Sequence, residues 1–229
     1  MFGYDTGVIA GANLYIDQSF QNVTNLDKEL IVSMTLAGAA IGSLFGGPVS
    51  DTFGRKGTIL LADALFTIGS LIMAFSPFIA ILVFGRFVVG LGVGTAAMVV
   101  PVYLAEISPT TIRGILVGSN IVCIVIGQVV AISTCLALGN RWRWMLGLAA
   151  VPSVLQAVGI LFLIESPRWL FKVHRHLDGI KAITTLYDGD EYSLKPIIQE
   201  QKREADNVRQ YEFIGLANLI RQLFTKYRP

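Results

Sequence analysis

The chain has 229 residues, 53% of them hydrophobic, with 18 Lys and Arg against 16 Asp and Glu and a net charge of +2. Its mean hydropathy is +0.62. Only 15% of residues are charged, against about 25% in soluble domains, and the charges crowd toward one end, which excludes an ordinary soluble domain. The basic residues alternate with acids and form no dense patch, which argues against a nucleic-acid partner.

Uncharged runs stand at 30–50, 64–85, 87–105, 114–140 and 144–164. Crossing about 30 Å of hydrocarbon takes roughly 20 helical residues. Several such runs in series exclude a lone signal peptide. The expectation is an all-α, polytopic membrane protein set in a lipid bilayer. Residues 1–16 read as a first span, but at 1.5 Å per residue they reach only about 24 Å, so its helix is expected to begin before Met1. Asn22-Val23-Thr24 is a glycosylation sequon, either modified or simply an unmodified loop.

The second span, 30–50, carries Gly38, Gly42 and Gly46 at four-residue spacing. Stacked small residues let two helices approach closely, and the device recurs at Gly90/Gly94 and Gly114/Gly118. Asp51-Thr52-Phe53-Gly54-Arg55-Lys56 is a very short loop, with Gly54 suited to a left-handed turn. The third span, 57–76, contains Asp63, an acid that either stays protonated at depth or lies near the headgroups. The fourth span runs to Glu106 and encloses Arg86. The fifth follows Arg113 and holds Cys123, Gln128 and Cys135; the cysteines match no zinc or redox spacing and read as inert. Trp142 and Trp144 read as interfacial anchors before the sixth span, 144–164. From 166 onward the composition is soluble. Ser166-Pro167 starts one short helix, Asp178 caps a second, Ser193 opens a third, and an apolar face from Phe213 to Phe224 marks a surface helix. His174 and His176 read as solvated rather than as metal ligands.

Arg55, Lys56, Arg113 and the tail after Arg168 fall on one side of the membrane; Lys28, Arg141 and Arg143 fall on the other. The excess makes the first side cytoplasmic. The organisation expected is a six-helix domain over 1–165, made of two three-helix units, and a cytoplasmic helical segment over 166–229. Repeated units of this kind recur in secondary transporters.

An arginine near the bilayer centre costs about 2.5–3.5 kcal/mol on insertion scales, so Arg86 needs an acid partner, and Asp5 in GYDTGVIAGA is the best one. The pair either couples protonation to helix movement or merely locks two helices together.

GYDTGVIAGA, DTFGRK, GRFVVGLGVG, PVYLAEISPTTIRG and ESPRWL, in this order and spacing, resemble the sugar-porter branch of the major facilitator superfamily over essentially the whole chain. RWRWMLGLAAVPSVLQ is most similar to the proton-coupled myo-inositol transporters of that branch. The resemblance implies half of a twelve-helix fold: six transmembrane helices as two inverted three-helix repeats, then short cytoplasmic helices. The second half is expected in the same or a complementary chain. It also implies roles: Asp5 and Arg86 for proton coupling, and Phe2 and Gln128 for substrate contact. Arg55, Glu106, Arg113, Glu165 and Arg168, with Asp51 and Lys56 of the same loop, form a cytoplasmic charge network. Ile121 stands where hexose carriers have a glutamine, which favours a polyol such as myo-inositol over hexose. Thr52 and Ile164 also depart from the usual pattern, as replacements for an arginine and a proline.

The expected function is secondary transport of a polyol or monosaccharide, with the proton as coupling ion and no other cofactor or metal. The plasma membrane is favoured over an internal one. A facilitative hexose uniporter and a non-transporting sugar sensor are the alternatives. An enzyme is not expected, since no acid–histidine constellation has metal spacing and no serine sits beside a base within the spans.

Overall fold

The computed structural model describes residues 1–16, 24–109, 111–187, 194–203 and 206–207, and every element among them is helical. In order these are α1 (Phe2–Ile16), α2 (Asn25–Ala74), α3 (Ile79–Ile107), α4 (Arg113–Leu138), α5 (Trp142–Leu148), α6 (Ala150–Phe162), α7 (Pro167–Lys172) and α8 (His176–Tyr187). Asn22 and Val23 of the sequon, Ser193 and the apolar face 213–224 lie outside the described residues.

α2 opens on a capping box. The Asp27 amide donates to the Thr24 hydroxyl (3.3 Å) and the Thr24 amide donates to the Asp27 carboxylate (2.9 Å). The Thr24 amide, and then its hydroxyl at 2.7 Å, both donate to the Asp27 carboxylate and hold it below its ordinary pKa. At 50 residues α2 measures about 75 Å, far more than one bilayer crossing. It is broken in the middle by Gly54, at φ 85° and ψ 167°. No loop intervenes between the second and third expected spans; helix resumes directly on either side of that one glycine.

Among the described residues, four helices are long and apolar enough to cross a membrane: Asn25–Ala74, Ile79–Ile107, Arg113–Leu138 and Trp142–Phe162. Six spans were expected. The difference lies in α1, with 15 residues, and in α2, which holds two of the expected spans in one run. The expected sixth span is itself in two pieces, joined at Ala149. Pro152, which has no N–H to give the Leu148 carbonyl, accounts for the interruption.

Glycines set which helices approach. Gly42 faces the Leu91 carbonyl, and Gly90 and Gly94 face the Thr35 and Ala39 backbone, so the first part of α2 and α3 close on each other reciprocally. α1 closes on α4 in the same way, with Gly3 against the Ile124 backbone and Gly127 against Tyr4. At Gly114 and Gly118, by contrast, nothing among the described residues packs, and both face open space. The second part of α2 packs on α3 and α6, where the Thr67 and Ser153 hydroxyls meet at 2.8 Å. Val8, Phe66, Val89, Met145 and Leu146 form the core between these helices. Trp142 belongs to that core at 2% exposure rather than anchoring at an interface, because Arg143 covers its ring at 4.9 Å; Trp144 is exposed.

The chain divides into two compact units, Met1–Ile164 and Glu165–Pro229. In the second, the Ser166 hydroxyl accepts from the Trp169 amide and Pro167 occupies the first turn of α7. Asp178 lies inside the first turn of α8 rather than before it, and its carboxylate accepts from Arg175 at 2.8 Å. Phe171, Ile183, Leu194 and Ile198 make a small core of their own.

Candidate functional site

α1 and α3 belong to different glycine-closed pairs, and an ion pair bridges them. Arg86 on α3 donates from Nη1 to Asp5 Oδ1 on α1 at 2.7 Å. The two residues are 1% and 3% exposed. The Nε and Nη2 atoms of Arg86 have no hydrogen-bond partner. The guanidinium is therefore tied at one corner only, an arrangement that constrains it less than a two-pronged clamp would.

The turn at Gly54, between the expected spans 30–50 and 57–76, gathers a second cluster. Arg55 grips both carboxylate oxygens of Glu106, through Nε (3.0 Å) and Nη2 (3.1 Å). Its Nη1 donates to Asp51 (3.0 Å) and to the Ser50 carbonyl (3.2 Å). Burial works against the Arg55 charge, but Glu106 first and Asp51 next outweigh it and lift the pKa above the usual arginine value. Lys56 instead donates to the Leu161 (2.8 Å) and Leu163 (2.9 Å) carbonyls at the end of α6. Tyr103 reaches the Ile164 carbonyl at 2.6 Å. The structure thus joins Asp51, Arg55 and Glu106 and gives Lys56 the task of capping a helix. Arg113 stands exposed at the start of α4. Glu165 and Arg168 belong to the second unit, where the Glu165 carboxylate accepts from the Ser166 amide at 2.9 Å.

A cavity of about 200 Å³ opens at the start of α1, lined by Phe2, Ala96, Asn120, Cys123, Ile124 and Gln156 among others. Phe2 is thus a cavity residue. Gln128 lies one to two turns further along α4 and donates to the Thr6 hydroxyl at 3.2 Å. Ile121, seven residues before Gln128, falls on the same stripe of α4 and is exposed. Asn120, Gln156 and Thr6 were not singled out from the sequence. The available signal was their polarity within otherwise apolar runs, the one that did mark Gln128.

Asp63 is 1% exposed, buried within the helix packing. Neither of its carboxyl oxygens has a hydrogen-bond partner. Among the described residues no group of three or more His, Cys, Asp or Glu is placed to hold a metal ion.

Three comparisons place this arrangement. Residues 1–228 match the family model described as "Sugar (and other) transporter". The chain is 45% identical over 196 residues to inositol transporter 4 of Arabidopsis thaliana, covering 83% of this chain and 34% of that protein. It is 45% identical over 214 residues to the proton myo-inositol cotransporter of Homo sapiens, covering 89% of this chain and 33% of that one. Its backbone superposes on the major facilitator superfamily proton:xylose symporter XylE of E. coli with a TM-score of 0.82 and 27% identity, covering 91% of this chain and 51% of that chain. The chain therefore spans about a third of the length of these curated relatives and about half of the solved structure.

Proposed function

This chain belongs to the family of sugar (and other) transporters, and from that premise we propose that it contributes the first half of a carrier for a small polyol or monosaccharide, myo-inositol before hexose, driven by protons. Six spans make up that half: α1, the two parts of α2 on either side of Gly54, α3, α4, and α5 with α6. They form two inverted three-helix repeats over 1–165, and 166–229, which carries α7 and α8, is a cytoplasmic segment leading to a second half in the same or a complementary chain. The Gly54 turn faces the cytoplasm and the plasma membrane is the favoured location.

The observation that carries the reading is the buried contact from Arg86 to Asp5 at 2.7 Å. A carboxylate without water is tenable beside a guanidinium; deprived of it, the group neutralises by taking up a proton. Because Asp5 and Arg86 ride on different helix pairs, a small relative shift of those pairs separates them. Proton binding at Asp5 and rearrangement of the bundle are then one event, and differential affinity for the proton between two states is what coupling requires. One proton crossing 100 mV supplies about 2.3 kcal/mol and one pH unit about 1.4 kcal/mol. Together these support accumulation of a neutral polyol on the order of several-hundred-fold.

Phe2 and Gln128 contact the substrate beside the cavity, with Ile121 in place of a hexose-binding amide. The Asp51–Arg55–Glu106 cluster, with Lys56, Arg113, Glu165 and Arg168, serves as the cytoplasmic latch. The test is uptake of labelled myo-inositol by the carrier in proteoliposomes under an imposed pH gradient. Asp5→Asn is expected to lose uphill accumulation while keeping exchange of inositol for inositol. Undiminished gradient-driven accumulation in that variant refutes the assignment. Wild-type uptake indifferent to the gradient points to a uniporter instead.

A further inference from the structure

The bundle holds a second buried carboxyl that the coupling pair does not use. Asp63 sits in the second part of α2, where Ala62 is pressed against Gly92 of α3, and one turn before Thr67, whose hydroxyl meets Ser153 of α6. It is 1% exposed and both carboxyl oxygens lack a hydrogen-bond partner. The charged groups on the surrounding elements are committed elsewhere. Arg86 of α3 goes to Asp5 and Glu106 to Arg55, while Arg143 of α5 donates to the Ser76 carbonyl and covers Trp142. α6 carries no charged residue. A bare carboxylate with no partner in a dry interior is among the costliest groups to bury, and such a group neutralises rather than remain charged. Asp5, by contrast, has its guanidinium. Two acids in one bundle thus sit in contrasting surroundings, one bonded to a guanidinium and one with no hydrogen-bond partner among the described residues.

We propose that Asp63 is a second proton-carrying group of the carrier, neutral in this conformation and ionised when α2 and α6 part enough to admit water. On ionisation the carboxyl O–H bond breaks, its electron pair stays on the oxygen, and the proton leaves on the entering water. The inference deepens the proton-coupled reading and rests on it for its role. Its charge state is tested separately.

The test is infrared difference spectroscopy of this chain in lipid vesicles, following the carbonyl band of protonated carboxylic acids as the pH is raised with the bilayer made proton-permeable. A band present at neutral pH, bleached on alkalinisation and missing from Asp63→Asn is the expected result. Asp63→Glu keeps an acid in place and shifts the band in frequency, so it carries the test where the asparagine variant fails to reconstitute. A band unaltered in both variants, or one that never bleaches while the helices persist, overturns the proposal. Loss of coupling in Asp5→Asn with no Asp63 band leaves the proposed function standing and removes this inference; the reverse pattern does the opposite.

Discussion

The same substitution on two neighbouring glycines is expected to have opposite signs. Gly94 on α3 and Gly46 on α2 both lie in the contact between those helices. A methyl group on Gly94 would stand 2.6 Å from the Ala39 Cα and 2.7 Å from its carbonyl carbon, and closer still to the oxygen. These are backbone atoms of a packed helix, which cannot turn aside as a side chain can. A methyl group on Gly46 would meet the Thr95 Cα at 3.4 Å and Cγ2 at 3.6 Å, ordinary van der Waals contact. Replacing a mid-helix glycine by alanine gains up to about 1 kcal/mol from propensity alone. Overpacking a closed contact costs about 1–3 kcal/mol, and here it also separates two backbones. Gly46→Ala is therefore expected to be neutral or stabilising by up to about 1 kcal/mol, and Gly94→Ala destabilising by about 1–2 kcal/mol net. Reversible unfolding in mixed detergent micelles measures both. Equal losses from the two variants, or a stable Gly94→Ala, would show that the α2–α3 contact is not held at backbone distance and would undo the picture of paired rigid helices.

Gly54→Ala places a side chain at φ 85° and ψ 167°, a conformation essentially confined to glycine; it is expected to cost about 1–3 kcal/mol, read as a lowered Tm in detergent. Arg55→Met removes the clamp on Glu106 and the bond to Asp51, with an expected loss of about 3 kcal/mol or more because a largely buried carboxylate is left behind. Because the folded Arg55 pKa is raised, its contribution is complete below the ordinary arginine value and is lost only as the pH climbs through the folded one. The Arg55 term therefore gives wild-type stability no slope near neutral pH, and a plateau in Tm across that range checks it. The lowered Asp27 pKa works the other way: its contribution is present above the ordinary aspartate value and disappears as the pH falls through the folded one. Acidification is thus expected to lower the amide protection in the first turn of α2, measured against the intrinsic exchange rate at the same pH, and Asp27→Asn to lower it already at neutral pH.

The ion pair was legible because an arginine within an apolar run has few tolerable explanations, and an acid at a matching depth in another run is one of them. Asp51 and Arg55 were read as members of one short loop, and the i,i+4 bond between them was not foreseen. Glu106, 51 residues away, entered through resemblance, since nothing local ties it to the turn. The number of separate helices was harder to read. The charged segment at 51–56 looks like a loop because loops carry charge, yet a single glycine conformation turns the chain there with helix intact on both sides. Gly114 and Gly118 repeat the spacing of Gly90 and Gly94 but face open space, since spacing fixes which residues share a stripe and not whether another helix lies against it. Trp142 was misread for a related reason. A tryptophan beside arginines resembles an interfacial anchor whether its ring points outward or, as here, inward beneath Arg143. The burial of Asp63 needed coordinates, because it depends on how the helix is rotated against its neighbours.

The most direct measurement for the whole account is proton movement driven by substrate alone. The carrier is placed in vesicles at equal pH on both sides, and the external pH is followed when myo-inositol is added. Wild type is expected to make the outside more alkaline as inositol and protons enter together, and Asp5→Asn to take up inositol to equilibrium with no pH change. Alkalinisation of undiminished size in Asp5→Asn would contradict the claim that the Asp5–Arg86 pair joins proton binding to movement of the bundle.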